Sequence, residues 1–113
     1  MKVREAVEKL GLKVKTAASA LDQEITSGYA SDLLSDVMAN TREGVIWVTL
    51  QTHQNIVAVA SLKELSGIVI VNQRQPEQET VQKAEAEGVP LLLTDMPAFE
   101  VIGKLYQLGI TGR

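Results

Sequence analysis

The chain has no cysteine. Disulfides, thiolate nucleophiles and cysteine-based metal sites are thereby excluded. It has one histidine, His53, so a transition-metal site would need carboxylates alone beside a single imidazole. Long apolar runs are missing too. Stretches such as Ile68 to Val71 and Pro90 to Leu93 are far too short to cross a bilayer. The opening Met-Lys-Val-Arg-Glu is charged, and no apolar run of signal-peptide length follows it. A basic excess is absent: 11 Lys and Arg stand against 14 Asp and Glu, for a net charge of −3. That balance argues against a broad nucleic-acid surface. Lys2, Arg4, Lys9, Lys13 and Lys15 gather near the start, but Glu5 and Glu8 intersperse them, which reads as a solvated helix face. The expectation is a soluble cytoplasmic protein with neither a nucleic-acid nor a membrane partner.

Catalytic signatures are absent in the same way. A phosphate-gripping loop needs Gly-x-x-x-x-Gly-Lys-Ser/Thr. The one Gly-Lys pair, Gly103-Lys104, is followed by Leu105, and Ala98 stands where the earlier glycine belongs. There is no Gly-x-Gly-x-x-Gly and no His/Asp cluster suited to a metal pyrophosphatase. The expectation is a non-enzyme without a cofactor.

What is present is a regular alternation of apolar runs and helical stripes. The 113 residues suit one domain over 1–113. A chain of this size buries roughly two-thirds of its unfolded surface, enough for an unstapled core. Val3, Val7 and Leu10 recur at helical spacing, predicting a helix over about 2–9 that Gly11 stops. Leu12, Val14 and Thr16 alternate with Lys13 and Lys15, as in a half-exposed strand. A connection over 17–24 leads to a strand over 25–30 and a helix over 32–40, for which Ser31 and Asp32 offer caps. At Ser27-Gly28 the backbone is expected to need positive φ or room for a close approach.

Val45 to Leu50 is an apolar, β-favouring run, as a strand covered on both faces should be. A turn over 51–54 precedes a helix over 55–65, ended by Gly67. Ile68 to Val71 reads as a second buried strand. After a loop over 72–75, a polar helix spans 77–87, and Gly88 ends it. Pro90 to Leu93 reads as a third buried strand, and Pro97 opens a last helix to about Leu108. Strands alternating with helices imply βαβ units. The predicted fold is α/β: a small three-layer α/β/α sandwich with a mixed, mainly parallel sheet and helices on both faces.

In open α/β sheets, ligands sit outside the carboxyl ends of the strands. Three loops are expected there. They bring Thr52, His53 and Asn55 after the first buried strand, Asn72 after the second and Thr94 after the third. Each opens a helix whose N-terminal N–H groups can take an anion. Thr26, Ser27 and Gly28 are expected to close the same pocket. Capping competes with this reading, because Thr, Asn and Asp at helix starts cap first. For His53 the competing role is a backbone bond within its turn.

Asp22 followed by Thr26-Ser27-Gly28 resembles the signature of the DRTGG domain family. Ser31-Asp32-Leu33-Leu34-Ser35-Asp36-Val37-Met38 is similar to the continuation in small stand-alone members. The motif departs from the family name at Gln23, where an Arg would stand, and at Ser27, where a Gly would stand. The likeness covers nearly the whole chain. It implies a fold like the N-terminal domain of bacterial HPr kinases. It also implies the unit that accompanies catalytic domains of some kinases, phosphotransacetylases and pyrophosphatases, where that unit is taken to be regulatory. In that setting Thr26, Ser27, Gly28 and Asp32 join Thr52, His53, Asn55, Asn72 and Thr94 as candidate ligand-binding residues.

The helix over 55–65 is apolar nearly all round: Ile56, Val57, Ala58, Val59, Ala60 and Leu62. A surface helix normally carries one apolar stripe. A homodimer covering the surplus near Ala58 and Ala60 is therefore expected, unless the first or last helix packs over it. The functional expectation is a non-enzymatic regulatory or sensory module, homodimeric, binding a small anionic or nucleotide-like ligand. The alternative is a protein-interaction adaptor without a ligand, serving a partner enzyme or kinase.

Overall fold

The computed structural model describes all 113 residues. Its elements are α1 (Val3–Leu10), β1 (Lys13–Val14), a 3₁₀ turn (Ala18–Ala20), β2 (Ser27–Ala30), α2 (Leu34–Asn40), β3 (Val45–Thr49), α3 (Asn55–Leu62), β4 (Gly67–Ile70), α4 (Gln78–Glu87), β5 (Leu91–Leu93) and α5 (Ala98–Gln107). The strands form one sheet in the order β1-β5-β4-β3-β2. Strands β2 to β5 are parallel, and β1 alone runs antiparallel, beside β5. This is the expected three-layer sandwich with a mixed, mainly parallel sheet.

The helix ends follow local chemistry. Gly11 (φ 66) and Gly88 (φ 70) close α1 and α4 in the left-handed conformation that glycine adopts without steric cost. Pro97 precedes the first turn of α5. β1 is shorter than its alternation predicts. Beyond Val14 the Lys15 N–H still donates to Leu91 O, but then the Thr16 hydroxyl takes over, donating to Val89 O and accepting from Leu91 N–H. A side chain replaces the main-chain ladder there, and Ala17 (φ 56) turns the chain away.

The strands alternate their side chains between two apolar layers, as their pleat requires. Val45, Trp47, Ile68, Ile70, Leu91 and Leu93 face one layer together with residues of α2, α3 and α4. Ile46, Val48, Val69, Val71 and Leu92 face the other, with residues of α1 and α5. The sheet explains this division. From β2 to β5 the chain steps one strand at a time in one direction, and crossovers of one hand then lay their helices on one face. The opposite face is left to the first and last helices. Two N-terminal strands that read as neighbours in sequence thus lie at opposite edges.

Much of the apolar surplus on α3 has an intramolecular cover. α3 is the middle helix of its layer, with contacts to both α2 and α4. Ile56, Val57, Val59 and Ala60 are buried. Ala58 and Leu62 alone among its apolar residues stay exposed. The helices expected to cover α3 within one chain, the first and the last, lie instead beyond the sheet.

Candidate functional site

The carboxyl ends of the four parallel strands bring together Asp32, Thr52, His53, Asn55, Asn72 and Thr94. Mutual hydrogen bonds fill much of this edge. The Asp32 carboxylate does not cap α2. Its Oδ1 accepts from the Thr49 hydroxyl at 2.8 Å and from Leu50 N–H at 2.7 Å, and its carbonyl accepts from Gln51 Nε2 at 2.8 Å. With Asp32 engaged across the strands, the helix begins two residues late, at Leu34. The Ser31 hydroxyl accepts from Leu33 N–H, and the Ser31 carbonyl accepts from the indole of Trp47.

The other loops are held in the same way. His53 Nδ1 accepts from Asn55 N–H at 3.1 Å, so its imidazole serves its own turn. Thr52 carbonyl accepts from Glu77 N–H and from the Thr80 hydroxyl, which ties the β3 loop to α4. Asn72 and Gln73 both have φ 61, and Arg74 N–H returns to Val71 O. These are the marks of a mirror-image turn, for which Asn is suited and Gln is not. Asn72 N–H donates to Met96 O and Gln73 N–H to Thr94 O, closing the β4 loop onto the β5 loop. The Thr94 hydroxyl accepts from Met96 N–H. Backbone bonds within their own turns, not helix caps, engage His53 and Thr94, and the side chain of Asn72 remains exposed.

Thr26, Ser27 and Gly28 do not join this edge. β2 is parallel to β3, with Ser27 opposite Val45, so the triplet marks the entrance of the strand. The expected closure of one pocket by both groups is therefore corrected by the strand's direction. Thr26 packs on Gly44, whose φ of 86 fits glycine, and its hydroxyl donates to Glu43 O. Gly28 does not take positive φ; the alternative of close approach applies. Its N–H donates to Thr111 O at 2.8 Å, and a Cβ there would meet Ile110 at 3.4 Å.

Three clefts open elsewhere on the surface, none of them lined by Thr52, His53, Asn55, Asn72 or Thr94. One of about 550 Å³ opens at the strand entrances among Thr26, Glu24, Glu43, Glu64 and Glu87, and is acidic. A second, of about 250 Å³, is apolar and runs between α5 and β2. A third, of about 390 Å³, lies below the end of α2. Beside α2, the Tyr29 hydroxyl donates to both oxygens of Asp36 at 2.9 Å, and Asn40 Nδ2 donates to Oδ1. Hydrogen bonds from Ser31, Tyr29 and Asn40 hold the Asp36 carboxyl below its ordinary range. No motif marks Tyr29 and Asp36 in the sequence; their seven-residue separation acquires meaning only once β2 and α2 pack together.

The Asp32 geometry makes a testable distinction. Thr49 is 2 % exposed, so Asp32→Ala strands a buried hydroxyl. Removing a charged acceptor of this kind costs about 1.5–3 kcal/mol. Asp32→Asn keeps one carbonyl oxygen and is expected to lose less. Urea midpoints at constant slope would read both changes. An Asp32→Ala protein as stable as the original would mean that the carboxylate is free for a ligand.

No family model and no curated protein matches the chain. The structure does have a solved counterpart. It is similar to the crystal structure of the CBS and DRTGG domains of the regulatory region of Clostridium perfringens pyrophosphatase, complexed with the activator diadenosine tetraphosphate. The TM-score is 0.74 at 12% identity, over 93% of this chain and 46% of that chain. This chain thus spans about half the length of its counterpart. No helix here is long and apolar enough to cross a membrane. At this identity the likeness is one of fold: the chain has the α/β fold of part of that regulatory region.

Proposed function

We propose that this chain is a non-enzymatic regulatory module that works as a homodimer, responds to a small anionic or nucleotide-like ligand and acts on a partner enzyme or kinase. The observation that carries the docking part is on α5. Phe99 is 87 % exposed, Ile102 40 % and Tyr106 64 %. Their spacing of three and then four residues puts them on one stripe. Ile102 and Tyr106 also line the apolar cleft of about 250 Å³ against Tyr29, Val48 and Ile110. An apolar stripe running into an apolar groove is suited to a symmetric contact, the commonest arrangement in homo-oligomers. The regulatory part is supported by the likeness to a regulatory region whose structure holds a nucleotide activator.

Sedimentation tests the dimer. The unmodified protein is expected to run as a dimer at tens of micromolar. Ile102→Glu with Tyr106→Ser is expected to run as a folded monomer, because both side chains are exposed and no core is lost. A monomeric unmodified protein would reject the homodimer. The adaptor reading, without any ligand, draws its support from the bonded loops at the strand ends. Thermal-shift screening against nucleotides and phosphorylated metabolites separates the two: a response from none of them leaves the adaptor.

A further inference from the structure

Ser27 sits in the motif, yet the packing of β2 gives its hydroxyl no role. The residue is 5 % exposed. Alternation puts it on the same side of β2 as Tyr29, which reaches Asp36 of α2; Gly28 faces Ile46 and Ile110 on the other side. No hydrogen bond within the chain engages the Ser27 hydroxyl. Ser66 is the one residue whose unpartnered side-chain oxygen is sealed from solvent. The Ser27 hydroxyl is thus unpartnered but open, and the cleft its residue lines is the one of about 390 Å³ below α2.

The other polar walls of that cleft are Asn40, Thr41, Arg42 and Arg113. Both arginines are exposed, and neither takes part in the chain's two ion pairs, Met1 amino to Glu24 and Arg4 to Asp22. The nearby side-chain acids are otherwise placed. Asp36 is held by Tyr29 and Asn40, and Glu43 lines the acidic cleft on the far side of Gly44. Arg42 also follows the carbonyl end of α2, which attracts a cation with about half an elementary charge. A phosphate carries up to two full charges and offers oxygens that match the guanidinium fork. A largely buried, unpartnered hydroxyl in a cleft also lined by two arginines outside any ion pair is complementary to such a group.

We infer that this cleft binds the phosphate of a small phosphorylated ligand, with Ser27 donating from below and Arg42 and Arg113 closing over it. The inference rests on the ligand-responsive part of the proposed function. It moves the site from the carboxyl ends of the strands to their entrances.

Backbone amide chemical-shift titration tests it, with inorganic phosphate and a nucleoside monophosphate as probes. Saturable shifts are expected at Ser27, Arg42 and Arg113. Arg42→Gln and Ser27→Ala are each expected to weaken binding about tenfold or more, and Thr94→Ala to leave it unchanged. Arg42 is exposed, so its variant keeps the test intact should Ser27→Ala perturb the fold. Shifts centred on Asn72 and Thr94 that vanish in Thr94→Ala would overturn this site while keeping the ligand reading. Shifts at the cleft that neither variant weakens would mark an adventitious ion only and overturn the site. No saturable shift with either probe would overturn this site, while a thermal-shift response to another nucleotide would keep the ligand reading.

Discussion

Trp47→Ala is expected to destabilise the chain by about 3–5 kcal/mol, the range for emptying a large aromatic from a packed core. Trp47 is fully buried in the middle of the sheet, within the layer built with α2, α3 and α4. Domains of this size hold about 5–15 kcal/mol in all, so this change alone takes a large share of the margin. Trp47→Phe divides the effect. It keeps most of the ring but removes the N–H that donates to Ser31 O at 2.8 Å. That carbonyl belongs to the turn between β2 and α2, so a loss of about 1–3 kcal/mol is expected from its lost donor. Far-UV circular dichroism in urea is the right measure, because these variants have lost the chain's single tryptophan fluorophore. Equal losses in the two variants would show that the hydrogen bond, and not the bulk of the ring, anchors the edge strand.

Gly44→Ala is expected to cost about 2–4 kcal/mol. A non-glycine residue at φ 86 costs about 1–2 kcal/mol by itself. The added Cβ would lie 2.6 Å from Thr26 Cγ2 and 2.8 Å from its Oγ1, far inside ordinary contact. Thr26 would have to turn away, losing its bond to Glu43 O, a further loss of about 0.5–1.5 kcal/mol. A double-mutant cycle checks the mechanism. Thr26→Ala removes both close atoms, so adding it to Gly44→Ala is expected to recover part of the loss. Neighbours that clash show coupling of about 0.5–3 kcal/mol. Strict additivity would mean that backbone strain alone carries the effect and that Thr26 is a bystander.

These two positions also show what sequence reasoning could reach. The helix stops at Gly11 and Gly88 were legible because a left-handed residue at a helix end is a local requirement. The buried strands were legible as short β-favouring runs. Strand order was not, since an apolar run states that it is covered and not by which neighbour. The same limit misplaced Thr26, Ser27 and Gly28. Their polarity was plain, but only pairing with Val45 and Ile46 shows that they sit at the entrance of a strand. Asp32 looked like a helix cap because an acid just before a helix has that chemistry; its use on Thr49 and Leu50 is settled across strands. The apolar surface of α3 is legible as more than one stripe; α2 and α4 flank it, while Ala58 and Leu62 stay exposed. At the candidate site, the backbone roles of His53 and Thr94 follow local rules, whereas the cleft beneath α2 depends on Arg113, remote in sequence from Ser27.

The division of the sheet between middle helices and end helices has a consequence for biosynthesis. As the chain leaves the ribosome, each strand from β3 onward can pair with its predecessor while the intervening helix covers one side. The other side, carrying Ile46, Val48, Val69, Val71 and Leu92, obtains its full cover only when α5 has emerged and joined α1. β1 likewise has no partner until β5 arrives, since Lys13 pairs with Leu93. The nascent chain therefore carries a half-covered apolar sheet until the last helix is made, and that interval is when aggregation or chaperone capture competes with folding.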